Sequence, residues 1–455
     1  MAYIQLGRYN KYYKYIIFQV ICNFLYQCTF GLSYGSEYTP IFFFEKQYKF
    51  SSHYIINYIF YYLGILFFSL ILYKFDPNTK EKNKSNENTF TIKLIRYKNK
   101  NIKKEYYIII LVSFLWVIHE QLILIYYSYF YFDYLDYWTL EILITYYISK
   151  KMFNIEIYKH QQFAIFFNSV LCSLFLVIPF IMSVISKKEN ILKDQPVLIP
   201  IGVIFFLIII FIRSYTNCKI KWISDLKDIS VYKILIFYGM IGAIICSIVS
   251  LITTFIECNS EKYIVCPVRN DGKKYLESYI AYYEDFSSSI IIFIVLTFFS
   301  IIFGFLKSLF YIIIVKYLTP IHAIALPTIY DFLLVIILAI YSLIKKIDDD
   351  HEMNEIEIIS YFCDTIASFF AILGIFIYSE LIELNFCKLN YNIRSNIIKR
   401  GNIDLYLINN FKEGKIGQIL PEDDDYYLND EDENEDEDEE NERKNELSEI
   451  NKNNK

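Results

Sequence analysis

The chain has 455 residues, of which 55% are hydrophobic and 19% aromatic, yet 21% are charged and the formal net charge is -6. The residues from Glu422 to Glu442 carry fifteen carboxylates and no Lys or Arg, so the rest of the chain has a net charge of about +9. A secreted disulfide scaffold, a disordered protein and a basic nucleic-acid binder are excluded by this balance, and a multi-pass membrane protein is the class that fits.

A spanning helix needs about 20 mostly apolar residues, and ten candidates follow in chain order: 14–34, 53–74, 106–128, 134–150, 160–186, 196–216, 231–257, 286–316, 318–344 and 357–384. The first carries Gln19, Asn23 and Gln27 four residues apart on one helix face, a stripe suited to an aqueous path or to interhelical hydrogen bonds. Its polar residues and the absence of a small-residue cleavage site argue against a cleaved signal peptide. A Lys-rich insert, 75–105, separates the second and third spans. His119 and Glu120 lie mid-span in the third, Glu141 in the fourth, Lys307 in the eighth and Asp331 in the ninth. The eighth and ninth divide at Thr319-Pro320, because proline cannot continue the hydrogen-bond ladder of the helix before it. Pro320 and Pro327 straddle His322, and Pro327 leaves the carbonyl of Ala323 without its helical donor. Such broken helices occur at transporter binding sites and also for packing alone. Glu380 and Glu383 are expected to close the last helix. The low glycine content (13) argues for aromatic and β-branched packing rather than Gly-xxx-Gly ridges.

Orientation follows from the Lys and Arg of the short loops. With a cytosolic N-terminus, 26 of them fall on the cytosolic side and 11 opposite, the former count including five from Arg213 to Lys233. An even number of spans then returns the C-terminus to the cytosol. Cys258 and Cys266, separated by seven residues, fall in the non-cytosolic loop 257–285, where they form a disulfide or remain thiols. Residues 401–455 are expected to be a disordered acidic cytosolic tail, either purely solvating or in contact with basic segments such as 75–105.

The expected fold is all-α and polytopic. Ten spans divide into two five-helix repeats, 1–190 and 191–400, and an odd number per half gives them opposite orientations, the inverted-repeat plan of many secondary transporters. Ionisable side chains at membrane depth cost a few kcal/mol and persist where they face a cavity or a partner. His119, Glu120, Glu141, Lys307 and Asp331 are therefore the core of a candidate substrate or ion pathway, joined by Gln19, Asn23, Gln27, His322 and Pro327. A carboxylate kept from water can exchange a proton near neutral pH, which would couple transport to protons. Lys307 suits an anionic group, or it pairs with Asp331 or a glutamate as structural glue.

Three stretches carry a family resemblance. They are Tyr137-Trp138-Thr139-Leu140-Glu141 through Lys150-Lys151 to Lys159-His160-Gln161, Phe303-Gly304-Phe305-Leu306-Lys307 through Thr319-Pro320-Ile321-His322, and Gly374 through Glu380 to Asn385. Across most of 12–400 their order resembles the drug/metabolite transporter superfamily, the ten-helix group that includes nucleotide-sugar transporters. The resemblance implies alternating access for a small polar or anionic metabolite. The 75–105 insert and the scarcity of glycine depart from that pattern. A non-transporting polytopic receptor or scaffold is the alternative. No phosphate-binding Gly-x-x-x-x-Gly-Lys-Ser/Thr loop occurs, and His119-Glu120 has neither a second histidine at metal-ligand spacing nor a nucleophile motif. No catalytic residue, metal or cofactor is therefore expected. The expected partners are the lipid bilayer and the solute, not nucleic acid, with homodimer formation left open.

Overall fold

The computed structural model describes residues 4–6, 13–35, 41–43, 46–48, 53–75, 106–123, 126, 138–153, 158–186, 198–226, 229–257, 275, 277–288, 290–325, 329, 355–393 and 396. These are mostly helical. In order they form α1 (Tyr13–Gly35), α2 (Tyr54–Phe75), α3 (Tyr106–Ile123), α4 (Trp138–Phe153), α5 (Lys159–Ser186), α6 (Leu198–Lys221), α7 (Val231–Thr253), α8 (Tyr279–Ser288), α9 (Ile290–Tyr317) and α10 (Glu355–Tyr378). Five stretches are long and apolar enough to cross a bilayer: α2, α3, Ile201–Ser224, α7 and α9. Large apolar side chains such as Phe67 and Leu70 on α2, Ile244 and Ile248 on α7, and Ile291 and Phe298 on α9 are exposed. Such faces suit hydrocarbon chains and not water.

The expected spans other than the ninth overlap described helices, of which five are long and apolar enough to cross a membrane, and most of the ninth lies outside the described residues. Several boundaries differ; the fourth helix runs from Trp138 to Phe153 and the seventh ends at Thr253 rather than 257. The sixth span runs past 216 to Lys221 and continues through the π-turn Trp222–Leu226. The eighth begins at Ile290, with α8 a separate short helix before it. The last helix stops at Tyr378, so Glu380 and Glu383 lie beyond it. Glu380 adopts φ 61, its N–H donates to Ile377 O (3.2 Å) and the Leu381 N–H to Phe376 O (2.9 Å). That pair of bonds is a Schellman closure, and Glu383 then belongs to the strand Ile382–Leu384. The break at Thr319-Pro320 occurs as expected. Pro320 starts a new helical turn over 320–325, and the Thr319 hydroxyl accepts from the His322 N–H (3.3 Å), so Thr319 is the N-cap and Pro320 the first helical residue.

Among the described residues, two large apolar bodies and two small ones make the core. Rings from α1, α2, α3, α7 and α9 interlock in the largest, where Tyr62 meets Tyr238 edge-on at 5.2 Å and Trp116 stacks on Tyr238 at 4.1 Å. In the second, α4, α5, 320–325 and α10 pack together. α6 bonds to both, through α4 on one side and α9 on the other. The packing is aromatic, as expected, and single glycines seat it. Gly242 is the seat of the Tyr62 ring, and a Cβ on Gly239 would stand 2.7 Å from Leu66 N and 2.8 Å from Tyr62 O. Large rings need a residue without a side chain opposite them, so few glycines suffice and each is well used.

Four links join segments between helices. Ile4–Leu6 pairs antiparallel with Ile382–Leu384. The Lys221 ammonium donates to the carbonyl of Lys316 at the end of α9. His160 Nε2 lies 3.4 Å from Glu380 Oε1. At the other end of the bundle, His53 bonds to Glu277 and Asp285 at 3.0 Å each.

Candidate functional site

A charged side chain inside an apolar bundle must find a partner or water. Four do so where α3, α4, α6 and α9 meet. Glu120 on α3 accepts a 2.6 Å hydrogen bond from the Tyr62 hydroxyl. Lys307 on α9 is near enough for its charge to act on Glu120, and its ammonium stands 4.6 Å from the centre of the Tyr26 ring. The neighbouring turn of α9 is held by the Tyr61 and Ser308 hydroxyls, 2.7 Å apart. Tyr26 thus meets the Lys307 ammonium in a cation–π contact and Tyr62 holds the Glu120 carboxylate by a hydrogen bond, with Tyr61 and Tyr238 in the same packed cluster.

The second pair is Glu141 on α4 with Arg213 on α6, 3.0 Å apart. Glu141 is fully buried and Arg213 largely so. Arg213, expected among the cytosolic loop cations, lies within α6 with its guanidinium on the buried Glu141, and this is the main correction to the charge assignment. The Arg213 charge also acts on Glu120 and Lys307. Tyr311 on α9 in turn donates to Asn217 on α6 at 2.8 Å.

From Glu141 a polar seam follows α4 at four-residue steps. Thr145 Oγ1 donates to Ser214 Oγ (2.8 Å), and Ser149 Oγ lies 3.2 Å from Cys218 Sγ. The i, i+4 spacing puts all three α4 side chains on one face, opposite the matching face of α6. Polar contacts of this kind hold apolar helices together where hydrophobic burial cannot distinguish protein from lipid.

The remaining expected residues are dispersed. His119 is buried, and neither ring nitrogen has a hydrogen-bond partner among the described residues. Gln19 is buried, Asn23 half-buried and Gln27 exposed, so the three do not share one environment. His322 bonds Thr319 Oγ1 (2.7 Å) and Ser379 Oγ (2.8 Å), and it walls a small, mostly apolar crevice between α4, α5 and α10, in the second packed body. Pro327, Asp331, Cys258 and Cys266 lie outside the described residues. Among the described residues, Glu120 and Arg213 are the charges that act on Lys307.

Sequence reasoning missed Arg213, the tyrosines around Glu120 and the cluster at His53. Arg213 had a signal: Glu141-Thr145-Ser149 and Arg213-Ser214-Cys218 are two polar series at helical spacing in successive pieces of the bundle. The tyrosines had none, because Tyr is abundant throughout the chain. Neither a protein-family model nor a curated protein matches this sequence.

Proposed function

We propose that the chain is a secondary transporter of a small polar or anionic metabolite, working by alternating access between two inverted five-helix halves. The observation that carries this reading is the convergence of two acids from the first half, Glu120 and Glu141, on two bases from the second, Arg213 and Lys307. Charges held at membrane depth between two halves are the usual furniture of a solute or proton path. In such a site the bases bind an anionic group and a proton on either acid releases its base, so substrate and proton bind in a linked way.

The packing pattern supports the inverted-repeat plan. Shifting each span by five maps the α2–α7 and α5–α10 pairs onto themselves, α1–α9 onto α3–α6, and α2–α9 onto α3–α7, and contacts of all these kinds occur. The four links between helix ends join only segments that ten alternating spans would put on a common face. Both termini are then cytosolic by the Lys and Arg bias, and the resemblance to drug/metabolite transporters agrees with this plan.

The close tyrosine packing around Glu120 favours a second reading, a polytopic receptor or scaffold in which the charges only tie helices together. Uptake of a metabolite panel into reconstituted vesicles separates the two. Glu120→Gln and Lys307→Ala are each expected to lower uptake at least about tenfold, the effect of about 1.4 kcal/mol. Uptake unchanged in both discards the site, and no uptake of any solute by the unmodified protein favours the scaffold. A second test uses the α4–α6 seam. Ser149→Cys sets a thiol beside the native Cys218, and oxidation should staple the helices, block uptake and be reversed by reductant. Full uptake by the oxidised form would mean that α4 and α6 do not part during transport.

A further inference from the structure

His53 precedes the first turn of α2 and is almost fully buried, yet it is surrounded by acids. Its Nδ1 lies 3.0 Å from Glu277 Oε1 and its Nε2 lies 3.0 Å from Asp285 Oδ2. A neutral imidazole has one N–H and can donate to only one of them; its other nitrogen would then turn a lone pair toward a carboxylate. Both contacts are attractive only when the ring carries two protons.

Glu277 does more than face the histidine. Its Oε2 accepts from the backbone N–H of Ile55 (2.9 Å) and Ile56 (3.3 Å), and its Oε1 accepts from the N–H of Ser278 (3.0 Å). One carboxylate therefore caps the open first turn of α2 and the start of α8, where the helix dipoles favour negative charge. Tyr282 on α8 presents its ring edge-on to His53 at 5.1 Å and packs against Phe60 and Phe293, tying the cluster to α2 and α9. Among the described residues, the ionisable groups facing His53 are Glu277, Asp285 and Tyr282, and Phe293 of α9 packs behind the Tyr282 ring.

We propose that His53, Glu277 and Asp285 form a proton-binding site that latches the 277–288 segment onto the start of α2, closed while His53 holds two ring protons and released when it loses one. Burial alone would lower the histidine pKa, but the hydrogen bonds to Asp285 and Glu277 and the two carboxylate charges outweigh it, so the pKa is raised. A raised folded-state value means that the latch contributes fully below the ordinary histidine pKa of about 6.5 and is lost as pH rises through the higher folded value. Because α8 leads directly into α9, which carries Lys307, the latch controls how firmly that helix is anchored at this end of the bundle. The inference stands independently of transport.

The test is hydrogen–deuterium exchange of the peptide covering 277–288 in the full-length protein in lipid nanodiscs, corrected for intrinsic rates, from about pH 5.5 to about pH 9. The unmodified protein should show a protection step of at least about tenfold that is lost over one titration. His53→Gln should lack the step. Asp285→Asn should also lack it, but by remaining protected at high pH, since the amide can donate to the lone pair of a neutral ring. A latch that were only structural would loosen in that variant. Absence of a step in the unmodified protein, its persistence in His53→Gln, or opening of Asp285→Asn at the same pH as the unmodified protein would each overturn the proposal.

Discussion

Replacing Arg213 with alanine is expected to destabilise the folded protein by about 3–5 kcal/mol, the usual cost of removing one partner from a buried ion pair. The magnitude follows from what is left behind. Glu141 has no exposed surface, its Oε2 accepts from Arg213 at 3.0 Å, and its Oε1 has no hydrogen-bond partner among the described residues. Without the guanidinium, that carboxylate would stand uncompensated in the bundle interior, with Lys307 the only other cation of the charged centre. The double variant Glu141→Leu with Arg213→Met should recover most of the loss, because apolar side chains of similar volume replace a buried pair at little or no cost. Thermal unfolding followed by circular dichroism reads both. A single variant that melts with the unmodified protein would mean that the pair is solvated. On the proposed transporter reading, the double variant should be folded and still fail to take up solute.

The second large effect concerns Gly239. Glycine to alanine within a helix ordinarily stabilises by roughly 1 kcal/mol. At this position the sign should reverse, with a loss of about 1–3 kcal/mol from overpacking. The added methyl would meet Leu66 N at 2.7 Å and Tyr62 O at 2.8 Å, and backbone atoms of a neighbouring helix cannot rotate away. Gly242→Ala makes an informative contrast. Its methyl would enter the ring of Tyr62, which can tilt, so stability should fall less while the hydrogen bond from Tyr62 to Glu120 is lost. A higher melting temperature for Gly239→Ala would show that α2 and α7 are farther apart than described.

Helix positions were legible because the length of an apolar run is a local property that no tertiary contact needs to supply. The stop at Thr319-Pro320 is equally local: a missing N–H ends one helix, and the same residue type begins the next. Glu120 and Lys307 stand out in the sequence because each interrupts a long apolar run, where an ionised group is expensive whatever its partner. Boundaries at polar helix ends were less readable. The sixth span hid Arg213 because a run of Lys and Arg looks the same in sequence whether it leaves the membrane or turns inward against a carboxylate.

The sequence by itself thus determined a mostly helical chain with apolar segments long enough to cross a membrane, and it marked Glu120, Glu141 and Lys307, though not Arg213, as charges within those segments. Tertiary structure decided the pairings. Glu141 meets Arg213 72 residues away, and His53 meets Glu277 and Asp285 at separations of 224 and 232 residues. Each pairing depends on the rotation of a helix about its axis, where one residue is about 100°, and on how closely two helices approach. Ring-on-glycine contacts such as Tyr62 on Gly242 set that approach, and no periodicity along the chain encodes which ring meets which glycine.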